Sequence, residues 1–456
     1  MTKPLLRVVS SSNTRRAAGR WAVAASSLAI VASGLCLASA STASGSTGRK
    51  VGATGDCNSI ATCYTPQQLQ VAYGIEPLLA RGIDGRGETV VLPELAYPLA
   101  HVAESDLRAD LKQFDTLFKL PSAKLRFVNS LAHVAEPWLA NGEEVLDAEV
   151  VHAVAPGAAI TIVLVKATSL NDTASAVEAA VSALGLASSH GAVISISAAG
   201  QTGGEHCDSR AQVTQLNTAL QSAAQKHVTV VVASGDVGSV GEPCHVIKGL
   251  IGGSFPPVKE ANLPASDPLV LSVGGTSLTA SHTTGAYQSE IAWGLPYGTS
   301  GSQFQASGGG FSTLFARPSY QTGVSGIGSY RGVPDVSADA SPHSGMTVIV
   351  SNGSGYGIVN GGGTSQSAPT WAGIIALADQ FAGRQLGDVN PAIYAIGKSA
   401  SYHRAFHDVT TGNNVPVFPG KKISGYRATK GWDPVTGWGS PDAQVLVPLL
   451  KRYDQS

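Results

Sequence analysis

The chain has 456 residues, and its 30 basic and 31 acidic side chains nearly cancel. This balance provides no global field that would attract nucleic acid or an anionic membrane surface. Charged residues make up only 13% of the chain, about half of the usual share of roughly 25%, and 53 glycines accompany many small polar residues, which indicates a compact exported protein rather than a disordered one.

The first 40 residues predict a signal peptide. Three arginines between positions 15 and 20 precede an apolar run over residues 21–40, and Ala38-Ser-Ala40 offers small residues for cleavage. A membrane anchor is the alternative, but the run is rich in Ser and Ala, and no second span of the required length follows. We therefore expect a secreted protein with no stable membrane association after signal removal.

The rest of the chain is predicted to consist of a Ser/Gly-rich linker over residues 41–62 and one domain over residues 63–456. Four cysteines follow the signal, an even number that suits disulfides in an oxidising compartment. Of the three pairings, sequence order favours 57–63 and 207–244. A metal cluster is less favoured, because no histidine or second cysteine stands at ligand spacing.

Short β-branched runs alternate with longer helical stretches along the chain. Strands are predicted at Thr89–Leu92, Ala159–Val165, Ala192–Ile196, Val228–Val232, Leu269–Val273 and Thr347–Val350. Helices are predicted at Ser105–Phe118, Glu143–Val154, Ala174–Leu186, Arg210–Lys226 and Ala368–Gln380. This order predicts an α/β fold, a doubly wound and mainly parallel sheet with helices on both faces and function beyond the carboxyl ends of its strands.

The predicted helix after Gly142 carries two acids on an apolar face. Glu143 and Asp147 are four residues apart and share that face with three valines. Paired carboxyls in a partly buried site cannot both ionise easily, so one pKa should rise and the pair should share a proton. For Glu144 and Glu149, by contrast, favourable interaction with the helix dipole at a wet surface is a sufficient explanation.

Another acid, Asp236, follows the predicted strand Val228–Val232. A Gly-Asp turn is its ordinary explanation. The functional alternative is a carboxylic acid that stays protonated and donates a hydrogen bond to an oxyanion. Glu94 follows the strand Thr89–Leu92 and could extend the acidic cluster, but Pro93 before it is unusual, and we leave Glu94 out of the core assignment.

The Gly-rich stretch that begins at Gly361 contains the best nucleophile candidate, Ser365. Pro369 is predicted to open a buried helix, because proline suits a helix's first turn. A serine at such an N-terminus lies where unpaired N–H groups and the dipole favour a developing negative charge, as acyl transfer requires. A simple helix cap remains the alternative.

Taken together, these segments resemble the sedolisin family of serine-carboxyl peptidases, which share the subtilisin-like fold. They occur in family order from about Cys63 to the C-terminus, and the ordered set is more specific than any member. The matching stretches are Tyr64-Thr-Pro-Gln-Gln-Leu, Gly142-Glu-Glu-Val-Leu-Asp147, Ala155-Pro-Gly157, Ser234-Gly-Asp-Val-Gly238, Leu263-Pro-Ala-Ser266, Gly308-Gly-Gly-Phe-Ser312, Pro334-Asp-Val-Ser-Ala-Asp339, Gly363-Thr-Ser-Gln-Ser-Ala-Pro369 and Gly431-Trp-Asp433.

The resemblance implies that Ser365 is the nucleophile, Glu143 its general base, Asp147 the acid that orients Glu143, and Asp236 the oxyanion partner. It implies a monomeric endopeptidase that acts on proteins or peptides. A carboxylate base has a natural pKa about two units below that of histidine, so the optimum should be acidic.

The resemblance also implies one structural calcium ion. Its ligands would be the carboxylates of Asp408 and Asp433 and the main-chain carbonyls of Val409, Thr429 and Gly431, an all-oxygen set of the kind that calcium takes. Two acids that cap tight turns are the alternative. Thr429 stands where the family often has glycine, a change that a carbonyl ligand tolerates.

Two departures leave other functions open. Only about two dozen residues separate the signal from Tyr64, where the family carries a large propeptide, and Ala198 stands where an aromatic residue is frequent. A subtilisin-type Ser-His-Asp peptidase is a further alternative, because the context of Ser365 suits both kinds of enzyme, although it needs a histidine at a helix start. A secreted, inactive binding protein on the same fold is the other.

Overall fold

The computed structural model of the protein describes residues 63–96, 104–129, 142–166, 171–184, 191–197, 203–241, 257–294, 306–351, 355–418 and 421–454. The predicted signal peptide and linker lie outside these ranges, as do Cys57, Cys244 and Ala198. The two disulfides therefore stay predictions. Within the described ranges, no helix has both the length and the apolar character needed to cross a membrane.

Ten α-helices occur in the described ranges. They are α1 (Pro66–Ala72), α2 (Glu76–Leu79), α3 (Glu104–Phe118), α4 (Glu143–Val154), α5 (Asn171–Leu184), α6 (Arg210–Gln225), α7 (Thr364–Ala382), α8 (Asn390–Gly397), α9 (Tyr402–Ala405) and α10 (Ala443–Tyr453). Short 3-10 turns occur at Glu205–Cys207 and Ser319–Gln321.

The strands include the six predicted from sequence and several short antiparallel pairs. They are β1 (Glu88–Ala96), β2 (Lys124–Asn129), β3 (Ala159–Lys166), β4 (Gly191–Ile196), β5 (Thr229–Ala233), β6 (Leu271–Ala280), β7 (Tyr287–Ala292), β8 (Gly310–Ala316), β9 (Tyr330–Val333), β10 (Val336–Asp339), β11 (Thr347–Ser351), β12 (Tyr356–Asn360), β13 (Phe406–His407), β14 (Val417–Phe418), β15 (Lys421–Lys422) and β16 (Ser440–Pro441).

One eight-stranded sheet forms the centre of the molecule. Seven of its strands are parallel in the order β10, β6, β5, β4, β1, β3, β2, and β7 pairs antiparallel with β6. The predicted α/β fold with a mainly parallel sheet is confirmed. The interior strand β5 is buried along its whole length, as expected where both faces of a parallel sheet are covered.

The two faces of the sheet have separate apolar cores, and β1 contributes to both. Val90 and Leu92 pack into the core that contains α4 and α7, while Val91 packs into the core that contains α5 and α6. This alternation follows from the two-residue period of a strand. Trp371 of α7 is fully buried in the first core, so α7 runs through the interior rather than over a surface.

One helix start was predicted at the wrong residue. Pro369 was expected to open the helix, but α7 begins at Thr364, and the proline lies inside it. The start is set by Gly363, whose φ of 71° is a conformation that glycine adopts without the strain a side chain would suffer. Ser365 is therefore the second residue of the helix and not part of the loop before it.

Candidate active site

The carboxylate helix α4 begins as the sequence predicts. Gly142 precedes it with φ 97°, and Glu143 is its first residue. The Glu143 Oε1 atom is buried and has no hydrogen-bond partner among the described residues. Burial raises the pKa of Glu143 to about 7, a hydrogen bond with the Ser365 hydroxyl lowers it, and the charge of Asp236 raises it.

The hydroxyl of Ser365 faces two acceptors. Its Oγ lies 3.4 Å from the carbonyl oxygen of Ser197, a long contact, and within hydrogen-bonding reach of the Glu143 carboxylate. The side chain is only 4% exposed. Ser365 and Glu143 are thus brought together, one from the start of α7 and the other from the start of α4.

Asp147 lies one turn further along α4 and is buried. Ser197 Oγ donates to Asp147 Oδ1 at 2.8 Å. Burial raises the pKa of Asp147 well above its usual value, the charge of Glu143 raises it further, and hydrogen bonds from Ser197 and Glu94 lower it. The link between Asp147 and Glu143 is therefore electrostatic, whereas the hydrogen-bond partners of Asp147 are Ser197 and Glu94.

Glu94, which the sequence analysis left out of the core assignment, belongs to this cluster. It is a buried residue of β1, and its carboxyl group donates a hydrogen bond to Asp147. Burial and the charges of Asp147, Glu144 and Glu143 raise its pKa well above the usual value. The signal in the sequence was its place near the carboxyl end of a predicted parallel strand, and Pro93 does not end that strand, since β1 runs to Ala96.

Asp236 follows β5 and contacts the residue before the candidate nucleophile. The backbone N–H and the Oγ1 hydroxyl of Thr364 both donate to Asp236 Oδ1, each at 2.8 Å. Burial raises the pKa of Asp236 to about 6, and the two bonds from Thr364 lower it. An acid with this pKa is protonated in mildly acidic solution and can donate a hydrogen bond there.

The expectation of wet surface positions for Glu144 and Glu149 was wrong. Both are 0% exposed, since α4 packs between α7, α3 and the sheet. Glu149 Oε2 accepts a bond from the backbone N–H of Ile349 at 2.8 Å. Burial raises the pKa of Glu144 to about 8.

No histidine ring forms a hydrogen bond with Ser365 in the part of the chain that the structure describes. His152, the one histidine of α4, is fully buried, and its Nε2 lies 2.9 Å from Asp115 Oδ1. The arrangement therefore gives no support to a Ser-His-Asp triad.

The predicted calcium ligands converge on one turn. Both carboxylate oxygens of Asp408 accept from the Gly431 N–H, at 3.1 and 3.2 Å, and Asp433 Oδ2 accepts from the Thr429 N–H at 3.0 Å. Burial and the charges of Asp408 and Asp433 raise the pKa of Tyr402, so both acids lie near one phenol.

The oxygens at this turn fit a calcium ion. Asp433 is 1% exposed and forms no ion pair with a described basic side chain. Among the described residues, no hydrogen bond is accepted by the carbonyls of Val409, Thr429 or Gly431. Two carboxylates and three uncommitted carbonyls form a donor set that suits a hard cation.

Comparison with known proteins places this geometry in context. The model of the family described as "Subtilase family" matches residues 132–404. Kumamolisin of Bacillus sp. (strain MN-32) is 32% identical over 405 residues, 87% of this chain and 65% of that protein. Sedolisin of Pseudomonas sp. (strain 101) is 36% identical over 190 residues, 41% of this chain and 30% of that protein.

Human tripeptidyl-peptidase 1 is 31% identical over 256 residues, 53% of this chain and 40% of that protein. The chain thus spans less than two thirds of the length of these relatives. Among solved structures, Pseudomonas sedolisin (serine-carboxyl proteinase) complexed with two molecules of pseudo-iodotyrostatin matches with a TM-score of 0.68. It is 26% identical, and the match covers 86% of this chain and 99% of that chain.

Proposed function

We propose a function on the premise that this chain belongs to the subtilase family and, within it, to the sedolisins. The function is that of a secreted, monomeric serine-carboxyl endopeptidase that cleaves proteins or peptides in acid. The observation that carries the proposal is the Glu143 carboxylate at the Ser365 hydroxyl. The names of two relatives, a serine-carboxyl proteinase from Pseudomonas and the human tripeptidyl-peptidase 1, support a peptidase in general terms.

The proposed reaction begins with attack of Ser365 Oγ on the scissile carbonyl carbon while Glu143 takes the hydroxyl proton. The tetrahedral intermediate collapses when Glu143 returns that proton to the leaving amine, which leaves an acyl-enzyme on Ser365. Deacylation repeats these steps with a water molecule. Glu143 accepts a proton from the water, the resulting hydroxide adds to the acyl carbon, and Ser365 Oγ leaves and takes the proton back from Glu143.

Asp236 would stabilise the intermediate. Its carboxyl is fixed by both donors of Thr364, next to the nucleophile in sequence. When it is protonated it can donate to the oxygen that becomes negatively charged, and a preorganised donor in a buried site is worth more than one in water. This role requires Asp236 to hold its proton while Glu143 has lost its own.

Asp147 would act on Glu143 through charge. The charge of Glu143 raises the pKa of Asp147, because like charges at close range disfavour double ionisation. By the same repulsion, an ionised Asp147 would raise the proton affinity of Glu143 and make it a stronger base. Glu94, which donates to Asp147, would in turn stabilise the Asp147 carboxylate. The three acids then titrate as one coupled system rather than as separate groups.

The function is tested with N-terminally blocked peptides and denatured protein as substrates, assayed from about pH 3 to pH 9. We expect cleavage within blocked peptides that is strongest in acid and falls as the pH approaches 8. Activity that rises toward pH 8 would contradict the carboxylate mechanism. Absence of cleavage at every pH would favour a binding protein on the same fold.

We also propose that calcium, held by Asp408, Asp433 and the carbonyls of Val409, Thr429 and Gly431, stabilises the C-terminal part of the fold. The ion would supply positive charge to two carboxylates that have no other cationic partner among the described residues. Its role in this position is structural, and none of the proposed chemical steps depends on it.

Removal of calcium should therefore lower thermal stability. Because a ligand at a hundred times its Kd stabilises a fold by about 2.7 kcal/mol, we expect chelation to lower Tm by about 3 °C in calorimetry. Asp408→Asn should lower Tm and abolish most of the response to chelator. Asp84→Asn, which removes an acid that pairs with Arg86 at the surface, should leave that response intact. A Tm that does not change with chelator would refute the site.

A further inference from the structure

The carbonyl of Ser365 lacks its regular helical partner. In an α-helix the N–H of residue i donates to the carbonyl of residue i−4, and the residue four positions after Ser365 is Pro369, which has no N–H. A buried carbonyl needs another donor. Ser197 Oγ lies 3.2 Å from this oxygen, within hydrogen-bonding distance.

Ser197 contacts the candidate site at three points. It follows β4 directly and is 7% exposed. Besides the Ser365 carbonyl, its Oγ contacts Asp147 Oδ1 at 2.8 Å, and its own carbonyl accepts from Ser365 Oγ at 3.4 Å. The hydrogen bonds of Ser197 thus reach both Asp147 and Ser365.

The Ser197 hydroxyl has a single hydrogen to share between two acceptors. The shorter distance favours donation to Asp147, and a bond to an ionised carboxylate is stronger than one to a neutral carbonyl. Once Asp147 is protonated it is the weaker acceptor, and the hydrogen can turn to the Ser365 carbonyl. Both positions keep the end of β4 attached to the nucleophile.

We propose that Ser197 is a positioning residue of the peptidase, whose hydroxyl holds the nucleophile's helix turn against β4 and favours the ionised form of Asp147. The inference rests on the proposed function and adds a residue to it. No role for this serine was predicted from the sequence, in which the neighbouring Ala198 marks a departure from the family pattern.

The groups that face Asp147 determine whether loss of the Ser197 hydroxyl raises or lowers the pKa of Asp147. They are the acids Glu94 on β1 and Glu143 and Glu144 on α4, which repel a charge on Asp147, and the hydroxyl of Ser197, which stabilises it. Loss of the hydroxyl removes a donor to the carboxylate and leaves the acids in place. The pKa of Asp147 must then rise, and any limb of the pH profile that reports it must move to higher pH.

The test compares Ser197→Ala with Ser197→Thr and Ser195→Ala. Ser195 is the matched control, since it is a buried serine of β4, two residues before Ser197, whose Oγ has no partner among the described residues. We expect Ser197→Ala to lower kcat about tenfold or more, with KM within about twofold, and to shift the pH profile upward by about one unit. Ser197→Thr should restore the profile, and Ser195→Ala should leave it unchanged.

A second readout does not depend on activity. Because the pKa of Asp147 is raised in the folded protein, the folded state loses stability as the pH rises. Ser197→Ala should raise that pKa further. The difference in unfolding free energy between the parent and the variant should therefore grow as the pH rises through the folded-state pKa of Asp147. Denaturant titrations at several pH values measure this difference.

The two readouts separate the possible failures. If the parent protein cleaves no peptide, the proposed function fails, and the stability series alone decides the inference about Ser197. A loss of stability that is the same at every pH would overturn the inference, as would an active Ser197→Ala variant whose pH profile coincides with that of the parent.

Discussion

Ser365→Ala is expected to lower kcat on a blocked peptide by about 10⁴-fold or more, because the substitution removes the atom that forms the acyl-enzyme. The fold should tolerate the change. The lost hydroxyl makes only one long hydrogen bond to a carbonyl and one bond to Glu143, and α7 stays buried along the sheet through side chains such as Trp371. Steady-state kinetics and a melting curve measure the two quantities.

Ser367→Ala provides the control for this substitution. Ser367 lies two residues further along α7, is fully buried, and donates to the carbonyl of Ala338 at 2.9 Å, so its loss costs a hydrogen bond without touching the proposed chemistry. We expect this variant to be less stable and to keep its kcat within about tenfold of the parent. Residual activity of Ser365→Ala close to that of Ser367→Ala would mean that Ser365 is not the nucleophile.

Local spacing in the sequence was sufficient to place the carboxylates Glu143, Asp147 and Asp236 on or next to their elements, whereas the start of the helix that carries Ser365 was predicted too late. The helix Glu143–Val154 was predicted with its observed bounds, because a helix periodicity of acids and valines begins after a glycine that can act as its N-terminal neighbour. Asp236 was expected at the carboxyl end of a strand and lies there, after β5. Both inferences depend on residues that are close together along the chain.

Contacts between distant strands could not be read from the sequence. Glu94 reaches Asp147 because β1 lies between β3 and β4 in the sheet, an order that periodicity does not specify. Ser197 reaches Asp147 for the same reason, from the end of β4. Sequence patterns locate strand ends, but the neighbours of each end are decided by the topology of the whole sheet.

Burial of acids was the other source of error. From the sequence, Glu144 and Glu149 were expected at a wet surface, where acids interact favourably with the helix dipole. Both are enclosed because α4 is covered on all sides, and their carboxyls accommodate this through raised pKa values. A helix packed between a sheet and two other helices has no solvated face, whatever its sequence suggests.

Two acid-to-amide substitutions, Glu143→Gln and Asp236→Asn, should have different effects on the pH dependence of activity. The proposed active form has Glu143 ionised and Asp236 protonated, and burial raises their pKa values to about 7 and about 6. The ionised fraction of Glu143 falls as the pH drops below about 7, and the protonated fraction of Asp236 falls as it rises above about 6. The product of these two fractions gives a bell-shaped pH profile with its maximum in mild acid. The two limbs of the profile report the coupled pair of acids.

Glu143→Gln should lower kcat by about 10³-fold at every pH, since glutamine cannot accept the proton of Ser365. Asp236→Asn is the matched variant. Its amide oxygen can still accept from Thr364, and its N–H₂ group donates at all pH values, so part of the activity should remain and the decline on the alkaline side should disappear. Initial rates with one peptide across the pH range distinguish the two variants. If Asp236→Asn still loses activity above about pH 7 as the parent does, the alkaline limb does not come from Asp236, and its assignment as the oxyanion donor fails.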